Sequence, residues 1–293
     1  MNLWQEYIRP SNVSEALTAL RNAGGPAIPI AGGTDLMLDL QQGRHAPVHT
    51  LVDLTFVPEM SVLELCGDEI LIGAAVPVRR IVQDPLVQKH ALALVEAAGL
   101  IGGPQVRNMA TLGGNAAHAL PAGDGTIALT ALDARAEVAD QSGSRLVPFS
   151  ALFAGPGKST LKKGEEILVA FRLPAKGSGQ ASSFKRIMRP QGVALPILNC
   201  SVWLERDAEM VKDIHIAVGP AGPTPFRARQ AEELMCGKKY EPNLLKQGLE
   251  ALMAEARFRS SPQRAGAEYR RHLVAGLFMD TLQSAWDRAG KDD

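Results

Sequence analysis

The residues best suited to chemistry lie in two glycine-containing loops, the first of which reads AGGTDL over residues 31–36. An apolar run predicts a strand before this loop, and the following pattern predicts a helix that starts near Thr34. Glycine lets the backbone adopt positive φ and lets a ligand approach the amides, while a helix start offers free N–H groups. The loop could therefore bind a phosphate, although a lone Gly-Gly pair is more often a plain strand-to-helix turn.

The second loop, QVRNMATLGGNAAHALPAGD over residues 105–124, contains another Gly-Gly pair flanked by Thr111 and Asn115. The two pairs start 81 positions apart, at residues 32 and 113. Together the loops could hold the two phosphates of a dinucleotide, one phosphate each. Neither loop has the GxGxxG pattern of a Rossmann site or the GxxxxGK[ST] pattern of a P-loop, so those nucleotide sites are not expected.

Four polar residues of these loops each allow more than one role. The carboxylates of Asp35 and Asp124 would repel a phosphate, so we expect them to bind sugar hydroxyl groups or to cap loop amides. Arg107 would either balance phosphate charge or form a surface ion pair. His118 would either contact the ligand or form a hydrogen bond with the backbone at a helix start, and its position favours the second role.

No catalytic motif accompanies the loops. The cysteines Cys66, Cys200 and Cys236 are far apart and form no CxxC pair, so neither a zinc site nor an iron–sulfur cluster is expected in this chain. GxSxG and HExxH arrangements are missing from the sequence. The sequence therefore predicts a protein that holds a cofactor, with no catalytic residue and no metal ligand of its own.

The composition is that of an ordinary globular protein, with 293 residues of which 46% are hydrophobic and 21% charged. At about 100–200 residues per domain, either two domains or one large domain is expected. The net charge of zero argues against a nucleic-acid binder, but it divides into −6 for residues 1–150 and +6 for residues 151–293. That asymmetry reflects either chance or a basic half that faces a partner or an anionic ligand.

The chain is expected to be cytoplasmic. No apolar stretch reaches the roughly 18 residues of a membrane span. The first ten residues, MNLWQEYIRP, have neither the basic nor the apolar region of a secretory signal.

The surrounding elements predict an α+β protein. Helices and strands alternate in the first part, which includes a hairpin across Gly67-Asp68. A linker is predicted at residues 174–182. Beyond it, three strands come before three helices, as in an α+β domain. The ranges expected are strands at 182–189, 195–205 and 210–218 and helices at 226–236, 242–257 and 266–287.

The chain resembles the FAD-binding medium subunit of the molybdenum hydroxylases, the group that includes xanthine dehydrogenase and carbon monoxide dehydrogenase. Six segments carry the resemblance, and they occur in the family's order over nearly the whole length. They are AGGTDL (31–36), QVRNMATLGGNAAHALPAGD (105–124), EEILVAFRLP (165–174), SFKRIMRPQGVALPILN (183–199), GPAGPTPFRARQAEELMCGK (219–238) and AEYRRHLVAGL (267–277).

The resemblance implies a fold with two parts. Residues 1–176 would form a two-lobed FAD-binding domain of the vanillyl-alcohol-oxidase type, with lobes of about 1–55 and 56–176. Residues 177–293 would form the smaller flavoprotein C-terminal domain, with a three-stranded antiparallel sheet and helices.

The resemblance also implies which residues contact FAD. Lys185 matches a lysine close to the isoalloxazine ring, where a cation would stabilise the reduced flavin and raise its potential; the alternative is a strand lysine that faces water. Ile101 and Leu168 match apolar positions beside the flavin. The full set is Pro29, Ile30, Ala31, Gly32, Gly33, Thr34, Asp35, Leu36, Ile101, Thr111, Gly113, Gly114, Asn115, His118, Asp124, Leu168 and Lys185.

The role implied is electron transfer within a larger enzyme. Partner subunits would carry the other cofactors: a large subunit the molybdopterin and a small subunit two [2Fe–2S] clusters. The assembly would be a dimer of heterotrimers, in which FAD passes electrons to an external acceptor. Two alternatives are a standalone FAD-dependent oxidase or reductase of the same fold and a non-enzymatic interaction protein that has kept it.

The chain departs from some relatives at two places. Between Asn115 and Gly157 it has no cysteine and no room for the cluster-binding loop of 4-hydroxybenzoyl-CoA reductase, so FAD alone is expected here. Residues 190–194 lack the acidic residue that many relatives have before the Leu-Pro-Ile run. The identity of the electron acceptor therefore stays open.

Overall fold

The computed structural model describes residues 2–189, 195–262 and 264–291. The departure from relatives noted at residues 190–194 lies outside these ranges. Three main sheets organise the described chain. None of its described helices is both long enough and apolar enough to cross a membrane.

The first sheet is parallel and lies at the N-terminus. Its strands are β1 (Glu6–Ile8), β2 (Ala27–Ile30) and β3 (Thr50–Asp53), in the order β1-β3-β2. Parallel neighbours need crossover connections, and these contain helices α1 (Val13–Asn22) and α2 (Leu36–Gln41).

The second sheet is antiparallel, and it has the order β4-β5-β10-β6-β7. A small hairpin of two further strands, β8 and β9, lies beside it. The bounds are β4 (Leu63–Cys66), β5 (Glu69–Gly73), β6 (Arg135–Asp140), β7 (Gly143–Pro148), β8 (Phe153–Gly155), β9 (Lys158–Ser159) and β10 (Ile167–Pro174).

Six short helices fill the connection between β5 and β6. Three of them start between residues 104 and 124, and Ala91, whose φ of −138° is not helical, separates the second helix of this connection from the third. The helices are α3 (Val78–Gln83), α4 (Pro85–His90), α5 (Leu92–Gly99), α6 (Pro104–Met109), α7 (Leu112–Ala117) and α8 (Asp124–Ala131). Short 3₁₀ helices occur at Leu54–Phe56, Pro58–Met60 and Phe149–Leu152.

The third sheet forms the C-terminal part with three long antiparallel strands, as expected, but it is larger than the three-stranded sheet predicted. Two additional strands of two residues each pair with the third long strand, and the helix expected from residue 226 starts only at Arg229 because one of them precedes it. The bounds are β11 (Gln180–Met188), β12 (Pro196–Asp207), β13 (Met210–Gly219), β14 (Phe226–Arg227), β15 (Lys238–Lys239), α9 (Arg229–Met235), α10 (Pro242–Glu255) and α11 (Ala267–Ala289).

The third sheet is covered on both faces. Because side chains alternate along a strand, one face contributes Cys200 and Val202 to a core shared with α11. The other face contributes Phe184 and Ala217 to the large core of the N-terminal part. Consecutive residues of β11 therefore point toward different parts of the protein.

His215 lies where the third sheet packs against the end of α8, and its Nδ1 is 3.0 Å from the carbonyl oxygen of Ala131. Burial lowers the pKa of His215, and Arg227 lowers it further, whereas Asp213 opposes the shift. The folded protein thus binds a proton here less readily than the unfolded chain does, so protonation below the ordinary pKa of about 6.5 favours unfolding.

We expect the free energy of unfolding to fall as the pH is lowered from 7.5 to 5.5, and to fall less in His215→Asn, whose amide can still donate to Ala131. Denaturant titrations at the two pH values measure this difference. His272→Gln, at an exposed histidine of α11, should retain the wild-type pH dependence. If the free energy of unfolding depends on pH equally in His215→Asn and wild type, then protonation of His215 is not the cause of the loss of stability.

Candidate functional site

A cavity of about 480 Å³ lies where the N-terminal and C-terminal parts meet. Its size is within the range of about 300–1,000 Å³ that is usual for ligand sites. One wall is formed by residues 28–36 and another by segments between residues 101 and 124. The remaining lining residues are Val78 of α3, Arg186 and Pro196 of the third sheet, Leu195 next to Pro196, and Arg264 in the loop before α11.

The first glycine loop connects β2 to α2 and packs directly on the second loop. A Cβ at Gly32 would collide with the backbone oxygen of Met109, so this position requires glycine. Gly33 has a φ of +66°, in the left-handed region that favours glycine. Asp35 occupies the N-cap position of α2 without a side-chain capping bond, so the capping role considered for it is not realised.

In the second loop, Thr111 and Asn115 are fixed by short-range bonds. Thr111 Oγ1 accepts a hydrogen bond from the backbone N–H of Gly114 at 3.1 Å and caps α7. Asn115 Oδ1 accepts from the Thr126 hydroxyl at 3.3 Å. Gly114 lines the cavity, and a Cβ there would have only Thr111 Oγ1 within 4 Å.

Arg107 forms no ion pair within the described residues. Its guanidinium donates to the backbone oxygens of Ile101 at 3.2 Å and Gly102 at 2.7 Å. The side chain therefore fixes the 101–102 turn, which is part of the cavity wall. His118 also lines the cavity, but it follows the end of α7, and its backbone N–H donates to Gly114; the helix-start bond considered for it is not formed.

Asp124 joins the two parts of the protein through a buried polar cluster. Its Oδ2 pairs with Arg186 Nη1, and its Oδ1 accepts from Asn199 Nδ2 at 2.8 Å. The side chains of Asp124 and Arg186 are only 5% and 6% exposed. Burial raises the pKa of the Asp124 carboxyl, while Arg186 and Asn199 act to lower it. Both carboxylate oxygens thus already accept hydrogen bonds from the third sheet.

Two buried polar atoms of this cluster have no hydrogen-bond partner within the described chain: Nε of Arg186, which can only donate, and Oδ1 of Asn199, which can only accept. Buried polar groups are nearly always satisfied by protein, water or ligand. Because Arg186 lines the cavity, its unpartnered donor is consistent with a ligand that carries hydrogen-bond acceptors.

Three residues expected at the site do not line the cavity. Leu168 is buried in the large core, and Gly113 packs against the backbone of Ala74. Lys185 pairs across the sheet with Cys200, whereas the adjacent Arg186 pairs with Asn199. Paired residues share a face of the sheet, so Lys185 points toward the α11 side and Arg186 toward the cavity.

The remaining expected residues do line the cavity. They are Pro29, Ile30, Ala31, Gly32, Gly33, Thr34, Asp35, Leu36, Ile101, Thr111, Gly114, Asn115, His118 and Asp124. Two charged lining residues were not expected from the sequence. Arg186 is one, although the alternation of the predicted strand 182–189 places it on the opposite face from Lys185. Arg264 is the other, and it has no local sequence signal because only the tertiary fold brings its loop to the cavity.

Comparisons with known proteins agree with this architecture. The family model described as the FAD binding domain in molybdopterin dehydrogenase matches residues 3–176, and that of the CO dehydrogenase flavoprotein C-terminal domain matches residues 182–285. The chain is 32% identical over 288 residues to the xanthine dehydrogenase FAD-binding subunit of Escherichia coli O157:H7, with 97% of each chain covered. It is 29% identical over 283 residues to the carbon monoxide dehydrogenase medium chain of Hydrogenophaga pseudoflava, again with 97% of each covered.

The solved structures show the same fold. A chain of carbon monoxide dehydrogenase from Hydrogenophaga pseudoflava, in a form that lacks the Mo-pyranopterin moiety, superposes with a TM-score of 0.92 at 28% identity. That match covers 98% of this chain and 99% of the other. The chain therefore belongs to the family of FAD-binding subunits of the molybdopterin dehydrogenases, which are oxidoreductases.

Proposed function

We propose that this chain binds FAD in the cavity and serves as the electron-transfer subunit of a heterotrimeric molybdenum hydroxylase. The observation that carries the proposal is the cavity itself, in which two glycine loops face a buried arginine with an unpartnered donor. In this proposal residues 1–176 form a two-lobed FAD-binding domain of the vanillyl-alcohol-oxidase type. Residues 177–293 form the flavoprotein C-terminal domain.

The residues at the cavity fit such a cofactor. The open side of Gly114 and the loop over residues 31–36 leave backbone amides accessible to the anionic diphosphate. Asp35, which has no capping bond, is suited to accept from sugar hydroxyl groups. Ile101 and Leu195 add apolar surface that would exclude water from the flavin. We assign the positive charge near the flavin to Arg186 instead of Lys185, because Arg186 lines the cavity and Lys185 does not.

Bound FAD would supply one-electron and two-electron redox chemistry, which no side chain of this protein offers. The protein itself would then bind the cofactor, orient it and adjust its midpoint potential. The guanidinium of Arg186 would favour the more negative, reduced state of the cofactor and so raise its midpoint potential. Asp124 holds that guanidinium in place, and its carboxylate partly offsets the positive charge of Arg186.

The partners follow from the names of the relatives, which are FAD-binding subunits or medium chains of larger enzymes. The three separated cysteines of this sequence cannot hold two [2Fe–2S] clusters. We therefore assign the clusters to a small subunit and molybdopterin to a large one, in a dimer of heterotrimers. Electrons would enter from the clusters and leave from FAD to an external acceptor.

The proposal is tested by the visible absorption spectrum and metal content of the protein purified under mild conditions from its native host. We expect flavin bands overlaid with broad iron–sulfur absorption, together with molybdenum, on co-purifying larger and smaller chains. A flavin spectrum on a solitary chain without metals would contradict the subunit role. It would favour the standalone oxidase or reductase.

The second glycine loop is tested by Gly114→Val. The branched side chain would project into the space proposed for the diphosphate, so we expect flavin content to fall below about one tenth of the wild-type value. The matched control is Gly276→Val in α11, where a Cβ meets nothing within 4 Å. Flavin released by denaturation and measured by absorbance gives the occupancy, and full occupancy in Gly114→Val would refute the loop assignment.

The charge near the flavin is tested by comparing Arg186→Met, Arg186→Lys and Lys185→Met. Loss of a hydrogen bond to a charged group is worth about 1.5–3 kcal/mol, so Arg186→Met should weaken FAD binding by about tenfold or more and lower the midpoint potential. Arg186→Lys retains the positive charge, so its midpoint potential should stay close to the wild-type value. A fall in potential in Lys185→Met, without one in Arg186→Met, would restore the assignment that the family resemblance implied.

A further inference from the structure

The edge of the third sheet that faces the N-terminal part is closed by two side chains. Within the described residues β11 pairs only with β12, so the N–H and C=O groups along its outer edge have no partner strand. Glu96 Oε2 accepts from the backbone N–H of Phe184 at 2.7 Å, and Arg288 Nη1 donates to the backbone oxygen of Ser182 at 2.8 Å. The two side chains thus satisfy an edge donor and an edge acceptor, as a neighbouring strand would.

The same two side chains bond to each other. Glu96 Oε1 lies 2.5 Å from Arg288 Nη2, and the side chains are 27% and 32% exposed. Close by, the hydroxyl oxygen of Ser182 accepts from the backbone N–H of Ala93 at 3.1 Å in a buried contact. Helix α5, strand β11 and helix α11 are therefore joined at one point by hydrogen bonds of charged side chains, which are stronger than neutral ones.

This point of contact lies between two walls of the cavity. Phe184 and Arg186 are two residues apart on β11 and share the face directed toward the N-terminal part. The hydrogen bond that fixes the backbone of Phe184 therefore also limits how far Arg186 can move. On the other side, α5 ends at Gly99 and continues into the Ile101 turn of the cavity wall. A shift of β11 relative to α5 would therefore change the width of the cavity at Arg186.

We infer that Glu96, together with Arg288, is a positioning residue that sets the distance between Arg186 and the bound flavin, and thereby its affinity and midpoint potential. The inference rests on the proposed function, because it concerns the same cavity. Glu96 does not line the cavity and touches no proposed cofactor atom. Its effect passes through β11 to Arg186.

The experiment uses the full-length protein with its co-purifying chains and compares Glu96→Ala with Glu96→Gln. We expect Glu96→Ala to weaken FAD binding severalfold, but less than Arg186→Met does because it acts only through Arg186, and to lower the midpoint potential. In Glu96→Gln the side-chain amide oxygen can still accept from the backbone N–H of Phe184, so this variant should keep part of the FAD affinity and part of the midpoint potential. If Glu96 acts through Arg186, then adding Glu96→Ala to Arg186→Met should not lower the potential further.

The control is Glu69→Ala, which removes a 2.5 Å ion pair with Arg135 inside the second sheet. It should leave flavin affinity and potential unchanged. If Glu96→Ala keeps the wild-type affinity and potential while Arg186→Met alters both, the positioning role is rejected and the proposed function stands. The positioning role is also rejected if the two substitutions Glu96→Ala and Arg186→Met lower the midpoint potential additively when combined. Wild-type protein that binds no flavin would reject the proposed function together with this inference.

Discussion

The buried ion pair between Asp124 and Arg186 is the interaction on which the rest of the site depends. Its two charges come from different parts of the protein, the start of α8 and the edge strand of the third sheet. A buried charge that loses its partner is strongly destabilising, by about 3–5 kcal/mol. The third sheet must therefore dock on α8 in one register, and only this docked arrangement closes the cavity on the side of the C-terminal part.

Docking in that register requires a sheet with two different apolar faces. Phe184, Trp203 and Ala217 pack on the core of the N-terminal part, while the intervening positions pack on α11. The period of two in β-strands therefore decides which polar side chains reach the cavity, and a shift of one residue would replace Arg186 with Lys185. The ion pair and the apolar pattern select the same register, which is the consistency expected of a well-specified fold.

The features that the sequence revealed correctly are those encoded locally. The glycine loops were recognisable because the backbone of Met109 requires glycine at Gly32 and a positive φ favours it at Gly33, and the long strands showed clear apolar patterns. Strands β14 and β15 were missed because two residues carry no periodicity. The contacts of Arg107 were not foreseen because its partners are backbone oxygens, which no side-chain pattern reveals. Lys185 was chosen by resemblance, which matches residue types along the chain but does not show which face of the sheet a side chain occupies.

The docked arrangement also uses the opposite charges of the two halves of the sequence. Among the described residues, three ion pairs link the N-terminal part to the third sheet and its helices: Asp124 with Arg186, Glu96 with Arg288, and Asp133 with Arg227. In each pair the carboxylate comes before residue 150 and the arginine after it, so the −6 and +6 halves attract each other across the interface. Such complementarity contributes more to the register and orientation of an interface than to its net stability. Two of these pairs involve β11 itself or the helix beside its edge, so the charge asymmetry is concentrated where the position of Arg186 is set.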